Sequence, residues 1–377
     1  MKLATAATAI LMAAGSLNAA FLPAEWQSAP LTKAAAKNEW YFFPDDLGNS
    51  RVLVKATAGT KASFKLLTGG PPVWTDAFTS KINLGKQGTF VPAPNGGGFL
   101  VASQGNTMKV AIFDNLGNSV IETIDPNPGA YTGISAELDA TGGLHVGYIY
   151  NSRTICYARR NSASNWTFTS QLIPGAIFIH DTAVVPLTTS NVSLYFTQTY
   201  TGVRTLWRAK PAVALDGRLY ITWASNPLLN VENFVAPQLR GSRVGAEGRV
   251  YFFGSGNAPS WKLKRYSGIG GPIELETAGN VSPKSIRVAI GPDGRQRVAW
   301  YNETLKRVHY LKPINNGPDV PIIAGYPVVT TSKQSLTDLS GFHFTPDGTP
   351  CLLYRTTLAT AFVATPREDL VWTGTEW

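Results

Sequence analysis

A segment of about fifty residues recurs along the chain, and this period constrains the fold more than any other feature. The clearest copy, LDATGGLHVGYIYNSRTICYARRNSASNWTFTSQLI, spans residues 138 to 173. It opens on a turn at Asp139 to Gly142, alternates through Leu144, Val146 and Tyr148, crosses a short polar loop to Ile155, and starts a further strand at Trp166. With the strand leading into the turn, this is a four-stranded meander. The opening returns as GPDGRQRVAWYNETLKRVHYLKP from Gly291 and TPDGTPCLLYRTTLATAFVATP from Thr345, and more loosely from Pro44, Pro94, Thr188 and Ala246.

The turns fall at Gly48, Gly97, Gly142, Asn191, Gly248, Gly294 and Gly348, so successive spacings are 49, 45, 49, 57, 46 and 54 residues. Each turn carries Asp, Asn or Gly, which adopt tight-turn torsions at little cost. The strand after it tends to finish on an aromatic residue, as at Tyr148, Phe196, Phe253, Trp300 and Tyr354. Alternation ending on a bulky side chain suits sheets packed face to face. The expected fold is therefore all-β: a seven-bladed β-propeller of four-stranded antiparallel blades, with eight or six blades as alternatives. The unit ALDGRLYITWASN, residues 214 to 226, lies off the period. It is either the outer hairpin of blade 4 or a truncated eighth blade.

Composition agrees. The chain has 36 Gly and 25 Pro, which interrupt long helices, and a charged fraction of only 15%, which excludes a disordered chain or a coiled coil. The core D-x-x-G-x-h-H-h-x-Y at Asp139 to Tyr148, followed by Tyr157-Ala158-Arg159 and Trp166, resembles the repeats of sialidase-like, BNR-repeat-type β-propellers. Residues 138 to 173 and 291 to 311 carry the likeness most closely. The resemblance implies a secreted carbohydrate-binding or carbohydrate-active protein. No intact S-x-D-x-G-x-x-W box is present, so it does not bring sialidase activity with it.

The N-terminus, MKLATAATAILMAAGSLNAA, has one cation at Lys2, a short apolar run and small residues around Ala19. It reads as a bacterial secretory signal peptide over residues 1–19, too short to span a bilayer. A segment 20–38 and a propeller domain 39–377 follow, and the expected location is the periplasm or the medium. The net charge of +9 loses only Lys2 on cleavage. Without a basic cluster it serves solubility, or it mildly favours acidic polysaccharide as a partner. Nucleic acid is not expected, nor is a membrane span in the mature chain. The oligomeric state is left open.

In a propeller the second-to-third turns of the blades and the blade-to-blade connections share one end. The expected ligand-binding residues there are Tyr150, Asn151, Arg153, His180, Tyr200, Arg204, Trp261, Tyr301, Asn302 and Arg355. They are of the types that stack on sugar rings or hydrogen-bond hydroxyl and acidic groups. Catalytic candidates are His180, Asp181, Tyr150, Arg153, Glu303 and Asp338. They would serve a glycoside hydrolase needing two carboxylates, or a polysaccharide lyase needing a base and a neutralising cation. A protein-interaction platform is the third reading. Asp139, Asp293 and Asp347 read as caps of tight turns, and His145, His309 and His343 as structural strand residues. No motif for a metal or cofactor is found, and none is expected. Cys156 and Cys351 fall in opposite blades, too far apart to bridge, and are expected free and buried.

Overall fold

The computed structural model describes the strands named below and the connecting residues 93, 97, 105–106, 114–116, 118, 126–130, 139–143, 151–153, 163, 173–177, 187–191, 214, 218 and 286. Among the described residues, seven antiparallel sheets follow one another. Blade 1 comprises Glu39–Pro44, Ser50–Ala58, Lys61–Gly70 and Val73–Ile82, and blade 2 comprises Gly88–Pro92, Gly98–Gln104, Thr107–Phe113 and Ser119–Asp125. Blade 3 comprises Tyr131–Leu138, Leu144–Tyr150, Thr154–Ser162 and Asn165–Leu172, and blade 4 comprises Phe178–Pro186, Val192–Tyr200, Val203–Val213 and Leu219–Trp223. Blade 5 comprises Arg240–Val244, Glu247–Gly254, Lys262–Tyr266 and Ile273–Glu276, and blade 6 comprises Arg287–Ile290, Gln296–Asn302, Arg307–Lys312 and Val320–Ile322. Blade 7 takes Leu336–Phe344, Pro350–Thr356 and Thr360–Pro366 from the end of the chain and Trp26–Lys33 from its beginning.

The first strand of each blade touches the first strand of the next, and that of blade 7 touches that of blade 1. The fold is a β-propeller whose ring is closed by the antiparallel pairing of Trp26–Lys33 with Thr360–Pro366. The off-period unit belongs to blade 4. Leu219–Trp223 is its outermost strand, joined to Val203–Val213 by a hairpin in which the Ala214 N–H donates to Arg218 O at 2.8 Å. Leu229–Asn230 adds a short strand beside Val203–Val213.

Blade 3 shows why alternation selects this packing. Leu144, Val146, Tyr148, Cys156 and Ala158 pack against Val91, Val101, Met108, Val110 and Ile124 of blade 2. Ile149, Ile155 and Tyr157 face the other way, onto Leu194, Phe196, Trp207 and Ala209 of blade 4. The strand-ending aromatics Tyr148, Phe196 and Trp300 are fully buried, each contributing about 1.5–3 kcal/mol of the kind of burial that holds neighbouring sheets together. Cys156 and Cys351 are free and buried.

Polar side chains brace the seams. Asp139 Oδ1 accepts from the N–H groups of Thr141 (2.8 Å) and Gly143 (2.9 Å), which caps the turn. Its Oδ2 accepts from His145 Nε2 at 3.1 Å and from Thr189 Oγ1 of blade 4 at 2.8 Å. The neutral His145 then accepts the Tyr157 hydroxyl on Nδ1 at 2.6 Å. Burial opposes the Asp139 charge, but these hydrogen bonds outweigh it and hold the carboxyl well below the usual range. Between blades 2 and 3, Glu122 accepts Arg160 Nε at 2.9 Å, Arg160 Nη2 at 2.7 Å and the Trp166 indole N–H at 2.8 Å.

Candidate functional site

Four-stranded blades return the chain to the same end each time, so the second-to-third turns and the blade connections meet there. At blade 3 the turn is Asn151–Ser152–Arg153. Asn151 and Ser152 lie at φ 49° and 64°, a left-handed region that residues with a Cβ seldom enter. Hydrogen bonds hold them there. The Asn151 N–H donates to Ala130 O at 2.9 Å, and Asn151 Oδ1 accepts the Ala130 N–H at 3.0 Å. Ser152 O accepts the Ile179 N–H at 2.8 Å and Arg153 O the Ile173 N–H at 3.2 Å.

Two further contacts stiffen the rim. The Tyr150 hydroxyl donates to Pro128 O at 3.0 Å, and the Gly129 N–H donates to Asn106 O in the blade 2 turn at 3.0 Å. Gly129 is required by this packing, since a Cβ there would meet the Tyr150 ring at 2.1 Å. The connection from blade 2, the turn of blade 3 and the connection to blade 4 thus form one rigid ledge. Arg153 projects from it exposed, with no ion pair among the described residues.

The connection into blade 4 supplies the rest. The Ile177 N–H donates to Thr199 O at 3.1 Å. The pairing slips at His180, because Ile179 lies opposite Gln198 and Asp181 opposite Thr197. Phe178 and His180 stand together, ring centroids 4.9 Å apart. His180 Nε2 contacts Thr199 Oγ1 at 2.7 Å, and Arg204 lies opposite Thr199 in the ladder. Burial, reinforced by the Arg204 guanidinium, brings the His180 imidazole down to about 4, so it is neutral at ordinary pH. Leu172, Ile177 and Phe178 are 58%, 57% and 42% exposed beside it.

Of the residues expected here, Tyr150, Asn151, Arg153, His180 and Arg204 border one ledge. Tyr150 and Asn151 spend polar groups on the backbone of the adjoining connection. Asp181 is buried in the first strand of blade 4, where its Oδ1 accepts the Thr182 N–H at 3.0 Å. Tyr200, Tyr301, Asn302 and Arg355 lie on the second strands of blades 4, 6 and 7, at or near their ends, and Asp338 is paired with Arg355 in register. Trp261 and Glu303 fall outside the described residues. Phe178 and Thr199 were not singled out from sequence. The signal for Phe178 was its two-residue spacing from His180, which places both on one face of a strand.

No protein-family model matches the chain, and no curated protein matches it. Solved structures do. A streptogramin B lyase is 12% identical, with 91% of this chain and 97% of that chain covered and a TM-score of 0.50. A catalytically inactive virginiamycin B lyase from Staphylococcus aureus with quinupristin is 11% identical, with 91% and 100% covered and a TM-score of 0.48. A lectin in complex with alpha methyl fucoside is 15% identical, with 79% and 99% covered and a TM-score of 0.48. At 12% identity and a TM-score of 0.50, the likeness to the streptogramin B lyase is one of fold alone, a β-propeller.

Proposed function

We propose that the protein is an exported β-propeller that binds carbohydrate or another extracellular polymer through the end carrying its second-to-third turns. The observation that carries this reading is the blade 3–blade 4 ledge. An exposed aromatic ring, Phe178, lies beside a neutral imidazole and between two guanidinium-bearing residues, Arg153 and Arg204, on backbone fixed by hydrogen bonds from three segments. Aromatic faces and preorganised polar groups are what a sugar ring requires of a binding surface. The repeat pattern of residues 138 to 173 supports a sialidase-like, BNR-type ancestry within the propeller fold.

Binding is favoured over turnover. A general base works best with a pKa near the operating pH, and His180 at about 4 is a weak one. Asp181, the carboxylate nearest to it in sequence, is buried and bonded to backbone. The exposed Leu172 and Ile177 favour a second reading, a protein partner docked on the same ledge.

The test is incubation of the mature protein with a panel of acidic and neutral glycans, followed by thermal shift and by detection of unsaturated or reducing-end products. Retention without products is expected, and Phe178→Ala should weaken it at least fivefold, about 1 kcal/mol, the scale of one aromatic contact. Products at a steady rate would move the assignment to a carbohydrate-active enzyme, and no shift with any glycan would leave the protein-partner reading. Export is tested by N-terminal sequencing of secreted protein, with Ala20 expected as the first residue.

A further inference from the structure

The charge of the ledge goes further than its shape. Arg153 is exposed and has no ion pair among the described residues, and its turn is tied through Ser152 O and Arg153 O to the segment that carries Phe178. Arg204 borders that segment from the other side, opposite Thr199, whose carbonyl accepts the Ile177 N–H. Among the described residues, the carboxylates of this sector are buried or paired. Asp181 is buried, and Asp125, at the same end of blade 2, is buried against the Tyr148 hydroxyl (3.0 Å) and Asn127 Nδ2 (2.8 Å). The Glu122 carboxylate is taken up by Arg160 and Trp166. Among the described residues, this ledge offers solvent the Arg153 side chain and the Phe178 ring, with a neutral His180 beside the ring.

Resting on the glycan-binding reading, we infer that this ledge selects anionic over neutral glycans, with Arg153 taking a carboxylate or sulfate ester and Phe178 lying against the apolar face of the sugar ring. An exposed guanidinium on a hydrogen-bonded turn, with no ion pair among the described residues, gains a charge-assisted, bidentate hydrogen bond from such a group, and its planar fork loses less rotamer freedom per hydrogen bond than an ammonium would. A neutral hydroxyl offers neither the charge nor the second acceptor. The selectivity is therefore electrostatic, local, and attenuated by salt.

The experiment uses the mature full chain and titrates oligogalacturonate, the same oligomer fully methyl-esterified, and a sulfated glycosaminoglycan, by calorimetry at low and physiological salt. The acid is expected to bind at least tenfold more tightly than the ester, the equivalent of one such hydrogen bond. Arg153→Gln should erase that difference while leaving affinity for the ester unchanged. Lys210→Gln, which removes an exposed charge from the outer part of blade 4, should leave it intact. The sulfated arm distinguishes the two anions. Tighter binding there than to uronate assigns the ledge to sulfate esters, and the reverse assigns it to carboxylates. Equal affinity for acid and ester would overturn the inference while leaving glycan binding standing. Equal losses from Arg153→Gln and Lys210→Gln would overturn it too, by showing attraction to net charge. Binding to none of the three would overturn both the inference and the reading beneath it.

Discussion

Replacing Glu122 by Ala would test whether the seam between blades 2 and 3 is held by the polar cluster described above. The Glu122 side chain is 3% exposed and that of Arg160 24%, and three donors converge on the one carboxylate. Removing one partner of a buried ion pair costs about 3–5 kcal/mol, because the other charge is left without compensation. Arg160 reaches water over a quarter of its surface, so the lower end applies. The half-buried Trp166 N–H adds part of the roughly 1 kcal/mol owed by an unsatisfied donor. The expected loss is about 3–4 kcal/mol, which for a chain of this size lowers Tm by about 4–5 °C. The assay is urea unfolding with a double-mutant cycle through Arg160→Met, for which a coupling of about 2 kcal/mol is expected. A loss below about 1 kcal/mol, or additive single effects, would show that apolar packing alone holds the seam.

Other expectations concern protons, sterics and closure. Burial brings His343 down to about 4, against about 6.5 in the unfolded chain, so between these values the unfolded state binds more protons and stability falls as pH drops through that window. His343→Gln should remove a slope of up to about 1.4 kcal/mol per pH unit from urea midpoints measured between pH 7 and 4, and an unchanged slope would refute it. Asp139, with its carboxyl held below the usual range, contributes stability that is present above about pH 4 and lost as pH falls further; Asp139→Asn should flatten that acid limb. Gly129→Ala would drive a Cβ into the Tyr150 ring, at a cost of about 1–3 kcal/mol and with weaker glycan binding; wild-type behaviour in both would contradict the close packing. A chain starting after Lys33 would leave Thr360–Pro366 without its partner strand, and size-exclusion chromatography should show it more associated than the intact chain at equal concentration; identical profiles would contradict the role of this pairing.

The sequence made some of this legible and hid the rest for physical reasons. Asp139, Gly142 and the alternation to Tyr148 are local, and a hairpin is a local object, so turn and strand could be read together. The Ala214–Arg218 hairpin broke the period because it joins the third strand to the fourth, and its Asp216-Gly217 resembles the turn between first and second strands. Glu122, Arg160 and Trp166 were not assembled, since they meet across two blades and nothing in either repeat encodes the pairing. At the ledge, Arg153 and His180 were legible as polar residues at strand ends. The role of Asn151 was not, because its side chain serves the Ala130 backbone twenty-one residues away.

The pairing of Trp26–Lys33 with Thr360–Pro366 also orders events in time. Among the described strands, the first in the chain pairs with the last, so it waits for its partner until all the others have been made. The entropy of closing so long a loop rises only logarithmically with its length, so the completed ring is hardly less stable for it. The kinetics differ: contacts this distant in sequence form slowly, and until they do the last blade presents an unsatisfied edge. The interval between emergence of the two strands sets how long that edge must be guarded.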